Sequence, residues 1–167
     1  MKKILISAGA LAALALSTPA FAAATNQASA NATVNIVSPL TLTKKTDLNF
    51  GTVIGPFAGE KVEVSTAGLR NCSTLTCSGN ASVSAANFAV SGGTASQPLT
   101  VTVDTSTTLT GSVSGSLTLD LTTDVPTGVA TDTSGNATFG VGGSITIPST
   151  TADGVYSGNF NVTVQYQ

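Results

Sequence analysis

Apolar and polar residues alternate along much of this chain. In the C-terminal stretch GVYSGNFNVTVQYQ, residues 154–167, one face carries Tyr156, Gly158, Phe160, Val162, Val164 and Tyr166. Successive side chains of a strand point to opposite sides, so this stretch predicts a half-buried strand. Shorter runs of the same kind include LTLT, KVEVS, NFAVSG, PLTVTV, SLTLDL and SITIP. No stretch of about a dozen residues has the apolar spacing of a helix.

These runs are separated by turn-forming clusters such as GPFAGE, TDTSGN and TADG. Many short strands with turns between them predict an all-β fold, an immunoglobulin-like antiparallel β-sandwich, here in a single domain. The glycine run GVGG at 140–143 is too short and wrongly placed for a dinucleotide-binding loop. It is predicted to form a turn or a bulge.

Residues 1–22 have the pattern of a signal peptide. Two lysines precede an apolar run from Ile4 to Leu16, and Ala20-Phe21-Ala22 has the small-x-small form of a cleavage site. The apolar run has 13 residues, whereas a membrane-spanning helix needs about 20, so an uncleaved anchor is the weaker interpretation. The sequence therefore predicts export, with a mature chain that begins at Ala23.

Charge is scarce in the predicted mature chain. It has four basic residues and eight carboxylates, which gives a net charge of −4. No basic patch is present for nucleic acid or anionic lipid. The chain has no histidine, so a Ser-His-Asp or Cys-His arrangement is excluded. A carboxylate pair that hydrolyses a glycoside is the remaining catalytic alternative, but the acids are dispersed. We expect no enzyme activity, no cofactor and no metal.

The two cysteines, Cys72 and Cys77, are five residues apart in NCSTLTCSG. In an exported protein such a pair predicts a disulfide, worth about 2 kcal/mol for so small a loop. The alternative is a metal site, but zinc usually needs four ligands and the chain has no third cysteine.

The C-terminal strand resembles that of subunits of bacterial pili built by the chaperone–usher route. Those subunits end in an alternating strand with a penultimate aromatic residue, here Tyr166, and a glycine fourteenth from the end, here Gly154. The resemblance implies an incomplete sandwich whose groove is filled by a periplasmic chaperone and then by the N-terminal extension of the next subunit. The implied strand for polymerisation and chaperone contact comprises Gly154, Tyr156, Phe160, Val162, Val164 and Tyr166.

The donated strand would come from the mature N-terminus. Residues 23–33 are the candidate extension, ahead of a pilin domain at 34–167, and the alternating donor positions are Ala28, Ala30, Ala32, Val34 and Ile36. Three of these are alanine, and each missing methylene loses about 0.8 kcal/mol of burial. The alternative is that residues 30–37 form the first strand of the same domain.

A second resemblance covers nearly the whole mature chain. The stretch ATVNIVSPLTLTKKTDLNFGTVI together with GVYSGNFNVTVQY resembles an uncharacterised family of secreted bacterial pilin-like domains. The chain departs from well-known fimbrial subunits in its cysteines, because those subunits usually join an early strand to a distant one. The pilus subtype therefore stays open.

Two functions are expected from these patterns. The first is a homopolymeric subunit of a surface fibre, a pilus or fimbria, exported through the periplasm with a chaperone and an outer-membrane usher. Such a fibre would serve adhesion or biofilm formation, with a host or surface receptor as a further partner. The alternative is a self-contained secreted or surface β-sandwich binding module that acts as a monomer.

Overall fold

A computed structural model describes residues 26–72, 76–78, 82–125 and 128–167. The predicted signal peptide, residues 1–22, lies outside the described residues. The chain divides into two units, Met1–Val34 and Asn35–Gln167. In the first unit, the described residues 26–34 contain no strand and are exposed. The described strands all belong to the second unit.

The second unit consists of short strands joined by turns and loops, and its described residues include no helix. In chain order the strands are β1 (Thr41–Thr46), β2 (Thr52–Ile54), β3 (Glu60–Val64), β4 (Arg70–Cys72), β5 (Thr76–Ser78), β6 (Ala86–Ser91), β7 (Pro98–Val103), β8 (Ser106–Gly111), β9 (Ser116–Thr123), β10 (Val129–Ala130), β11 (Ala137–Ile147), β12 (Tyr156–Ser157) and β13 (Val162–Tyr166). The strands pair antiparallel. The predicted all-β, sandwich-like fold is confirmed.

The largest sheet has the strand order β1-β6-β11-β9-β8-β12, and β3 also pairs with β11 and with β4. Its central strand is β11. The first half of β11 pairs with β6 and the second half with β3, while β9 lies along its other edge. With neighbouring strands paired along both of its edges, β11 has one continuous buried run at residues 139–145. Such a run is typical of a fully buried strand.

The predicted turn or bulge at residues 140–143 is wrong, because these residues lie inside β11. A Cβ at Gly142 would collide with the carbonyl oxygen of Val64, and one at Gly140 would lie 2.6 Å from the carbonyl oxygen of Thr66. Glycine is required here because β3 and the segment after it approach the central strand too closely for a side chain.

The predicted continuous C-terminal strand is interrupted. β12 pairs with β8 in the largest sheet, whereas β13 pairs with β7 in a separate sheet of order β10-β7-β13. Between β12 and β13, where strand pairing stops, side chains form hydrogen bonds with the backbone. Thr107 donates its hydroxyl to the carbonyl of Asn159 at 2.7 Å, and the Asp104 carboxylate accepts from the Asn161 N–H at 2.7 Å. The closing segment therefore crosses from one sheet to the other.

The core consists of two clusters of buried side chains. The first core cluster comprises Val62, Leu109, Leu117, Leu119, Ile145 and Ile147. The second core cluster comprises Ala86, Phe88, Val90, Leu99, Phe139 and Val141. Leu48 and Leu121 pack against both. In the second cluster the rings of Phe88 and Phe139 stack with centroids 5.5 Å apart.

The predicted disulfide between Cys72 and Cys77 is confirmed. Cys72 ends β4, which belongs to the largest sheet, and Cys77 lies in β5, which pairs with β2 in a two-stranded sheet. The bond therefore ties the small β2–β5 sheet to the large one. Cys72 itself packs against the first core cluster.

Candidate functional site

An open cleft of about 750 Å³ lies over the first core cluster. Its floor consists of core side chains from both clusters: Phe88, Leu109, Leu117, Leu119, Ile145 and Ile147. These side chains are 3–9% exposed, whereas Leu99, Val62 and Val141 are fully buried. A cleft whose floor is hydrophobic core is a site where an apolar partner can gain burial.

One side of the cleft, here called the β12 wall, comprises residues 151–160. Tyr156 packs its ring against the first core cluster. Its hydroxyl donates towards the carbonyl oxygens of Ala152 at 2.9 Å and Ser114 at 3.2 Å. Phe160, at the other end of this wall, meets the ring of Phe88 edge-on with centroids 6.4 Å apart. Both aromatic residues therefore fix the wall to the core.

The opposite side, here called the β2 wall, comprises residues 47–57. Its apolar side chains, Leu48, Phe50, Val53 and Phe57, pack against the first core cluster. Two attachments hold its backbone to the rest of the fold. Asn49 and Ser84 exchange backbone hydrogen bonds of 2.8 and 3.1 Å, and β2 pairs with β5. The β2 wall is therefore anchored at both its beginning and its middle.

The C-terminal strand β13 lies at the edge of its three-stranded sheet, and β1 lies at the edge of the largest sheet. Among the described strands, each of the two has one partner, β7 for β13 and β6 for β1. Val162, Val164 and Tyr166 pack against the second core cluster, while Thr163 and Gln165 are exposed. An edge with unpaired backbone groups is a template for pairing with another strand.

The residues predicted for the polymerisation strand fall into two groups. Gly154, Tyr156 and Phe160 line the cleft. Val162, Val164 and Tyr166 lie on the adjoining edge strand and pack against the second core cluster. The structure thus brings half of the predicted set into the cleft and places the other half beside it.

Tyr166 has a hydrogen-bonding role that the sequence does not reveal. Its hydroxyl donates to the carbonyl oxygen of Ser38 at 2.7 Å and accepts from the N–H of Thr94 at 2.9 Å. Thr94 in turn accepts from the N–H of Ser38 at 2.8 Å. The end of the C-terminal strand is therefore tied to the segment that precedes β1.

The candidate donor residues Ala28, Ala30, Ala32, Val34 and Ile36 lie in a segment without a strand. All five are exposed, and the two large ones, Val34 and Ile36, are exposed at 83% and 84%. The alternative prediction, that residues 30–37 form the first strand of the domain, is wrong, because β1 begins at Thr41. Ordering these side chains against apolar surface would bury area that now faces water.

Arg70 is a residue of the site that sequence reasoning missed. Its Nη1 atom donates to the carbonyl oxygens of Phe50 at 2.7 Å and Thr52 at 3.2 Å, both in the β2 wall. The contacts join residues 18 and 20 positions apart in the chain. No local pattern reveals a contact of this kind, and in the sequence Arg70 stands out only as one of few cations.

The carboxylates that form hydrogen bonds away from the cleft serve the backbone. Asp104 accepts from Asn161, Asp124 from Gly140, and Asp132 from Ser134 and Asn136. Within the described ranges, no three potential metal ligands come together. The part of the chain that the structure describes also has no helix suited to crossing a membrane.

Fold and cleft together define an all-β, sandwich-like domain with an open cleft that has an apolar floor and lies next to an edge strand. The chain belongs to the family described as Domain of unknown function (DUF4402), whose model matches residues 40–166. No curated protein and no solved structure matches the chain. The matched region begins just before β1 and ends with β13, so it includes both walls of the cleft.

Proposed function

We propose that this protein is a structural subunit of a bacterial surface fibre, a pilus or fimbria, that polymerises by donor-strand exchange. The observation that carries the proposal is the cleft of about 750 Å³, whose floor consists of core side chains that are 3–9% exposed. An extended segment with apolar residues at alternate positions fits such a cleft, because one face of a strand can cover the floor.

The occupant we propose is the segment 28–36 of a second copy. It is exposed, contains no strand, and alternates apolar residues with Ser29, Asn31, Thr33 and Asn35. Val34 and Ile36 are the two large apolar side chains of the segment, and β-branched residues of this kind favour strands. Backbone bonds to an unpaired strand edge would add affinity to the burial of these side chains.

Before assembly the same cleft would need protection from water. We propose that a periplasmic chaperone occupies it first and that an outer-membrane usher then exchanges the chaperone for the next subunit. The predicted signal peptide would direct export into the periplasm, and the assembled fibre would serve adhesion or biofilm formation at the cell surface. A host or surface receptor would bind elsewhere on the subunit.

The second candidate is a self-contained secreted or surface module that acts as a monomer. It is favoured by one observation, that three of the five donor positions are alanine. Small side chains leave a deep cleft partly empty, so a peptide from a different protein would be the better occupant of the cleft.

The experiment that tests polymerisation is gel electrophoresis of the mature protein from its native cell surface, loaded with and without boiling. We expect a ladder of multimers that collapses to one band only after boiling, because exchanged strands dissociate slowly. Deleting residues 23–36, which removes every proposed donor side chain, should abolish the ladder. A ladder that persists in the deletion variant, or a single band in both lanes of the intact protein, would reject the proposal.

The donor segment offers a matched control. Val34→Asp with Ile36→Asp places charges on the proposed buried face, whereas Thr33→Asp with Asn35→Asp places the same charges on the other face. All four positions are exposed in the monomer, so neither pair should unfold it. We expect the first pair to prevent multimers and the second pair to leave them.

A further inference from the structure

The contact between Arg70 and the β2 wall requires a bent backbone. One guanidinium nitrogen lies within 2.7 Å and 3.2 Å of the carbonyl oxygens of Phe50 and Thr52. In a straight strand, residues two apart are separated by about 6.6 Å, so their carbonyls do not converge on one nitrogen at these distances. The bend is supplied by Gly51, which adopts φ +69°.

Gly51 and Arg70 fit each other closely. A Cβ at position 51 would lie 2.7 Å from Arg70 Nη1 and 3.0 Å from Val83 Cγ2. Any side chain would therefore displace the guanidinium, and a positive φ is also unfavourable for residues other than glycine. The bend at Gly51 and the guanidinium of Arg70 therefore form one structural unit.

This unit determines where the β2 wall lies. Phe50 and Val53 pack against the first core cluster at the border of the open cleft. A movement of the wall's backbone would carry these side chains with it and change the shape of the cleft. Arg70 opposes such a movement, because it is on β4, and β4 pairs with β3 of the largest sheet.

We infer that Arg70 is a positioning residue that fixes the backbone of the β2 wall beside the cleft floor, so that the cleft keeps the shape that an incoming strand needs. The identity of that strand rests on the proposed function. Arg70 itself does not line the cleft, so its effect would pass through the backbone of residues 50–52. Hydrogen bonds from a charged donor are stronger than neutral ones, which suits a role in fixing backbone.

The test uses the full mature chain and a fluorescent synthetic peptide of residues 23–37. Arg70→Met keeps an apolar stem and removes the donors, while Arg70→Lys keeps one charged donor. We expect the methionine variant to bind the peptide about tenfold more weakly, and the lysine variant to recover part of the loss. Lys45→Met is the charge-matched control, because Lys45 is exposed on β1 and does not line the cleft.

Hydrogen exchange supplies a readout that does not depend on the peptide. In Arg70→Met the amides of residues 49–54 should exchange faster, while those of β7 and β13 stay protected and show that the fold is intact. Gly51→Ala, which displaces the guanidinium without removing it, should have the same effect. Unchanged exchange of the wall in both variants, or unchanged peptide binding by Arg70→Met, would overturn the inference.

The two proposals fail in different ways. If the wild-type protein does not bind the peptide, the proposed donor is wrong, and exchange of the β2 wall alone decides the role of Arg70. If the wild type binds and Arg70→Met binds equally well, the positioning role is wrong while the donor stands.

Discussion

The two core clusters both consist of buried apolar side chains but differ in what lies over them. In the second cluster Val90, Leu99 and Val141 are at most 1% exposed, and half-buried residues of β13 close over it. In the first cluster all the side chains except Val62 line a cleft of about 750 Å³, whereas in the second cluster only Ala86 and Phe88 do. The cleft therefore lies mainly over the first cluster, while β13 lies over the second.

The difference lies in the crossing of the C-terminal segment between the sheets. β13 covers the second cluster, but residues 158–160 form no strand and border the cleft instead. Burial of apolar surface is the dominant favourable term in folding. Under the proposed function, an incoming strand would pack on the floor and walls of the cleft, so assembly would stabilise the first cluster more than the second.

The largest expected effect compares equivalent leucines in the two clusters. Leu99→Ala in the second cluster should lower the free energy of unfolding of the monomer by about 4 kcal/mol, since a closed core cannot collapse around the cavity. Leu117→Ala on the cleft floor should cost only about 2 kcal/mol, because water already reaches this site. Urea denaturation of both variants measures the difference, and equal losses would remove the distinction between the clusters.

The next effect concerns the disulfide, whose Cys72 packs against the first core cluster. Replacing Cys72 and Cys77 together by alanine should cost about 2 kcal/mol in the chain-entropy model. The bond links β4 to β5, so faster hydrogen exchange should be confined to β2, β5 and the β2 wall. Faster exchange in β7 and β13 as well would show that the two regions are not separate in stability.

The smallest effect concerns the end of β13, which packs against the second core cluster. Tyr166→Phe keeps the ring against the second cluster but removes the hydroxyl that joins Ser38 and Thr94. We expect a loss of about 1 kcal/mol in unfolding free energy, with faster exchange of the Thr94 amide. Tyr156→Phe is the control, because its hydroxyl contacts Ala152 and Ser114 on the other side. If Thr94 stays protected in Tyr166→Phe, the tie to Ser38 is not what secures this end of the strand.

The fold class could be predicted from the sequence because alternation is a local property. Five or six residues are enough to indicate the buried face of a strand, as in KVEVS, where Val62 and Val64 are fully buried. The prediction of a turn or bulge at residues 140–143 was wrong, because glycine occurs both in turns and in central strands that other segments approach closely. Only the position of Val64 and Thr66, far away in the chain, tells the two apart.

The candidate site could be predicted in part. The C-terminal pattern pointed to Gly154, Tyr156 and Phe160, which do line the cleft. The β2 wall, Arg70 and the tie from Tyr166 to Ser38 could not be predicted, because each depends on contacts between distant segments. The last of these joins residues 128 positions apart. Which edge stays unpaired is likewise a property of the whole sheet order and not of any one strand.

The central claim, that the open cleft accepts a strand from another copy, is tested most directly by nuclear magnetic resonance of methyl groups. Unlabelled peptide of residues 23–37 would be titrated into the methyl-labelled mature chain, with the Val34→Asp, Ile36→Asp peptide as control. We predict that the methyl signals of Leu109, Leu117, Leu119, Ile145 and Ile147 shift with saturation, while those of Val90, Leu99 and Val141 do not. No shift in the first cluster, or equal shifts with the control peptide, would contradict the account.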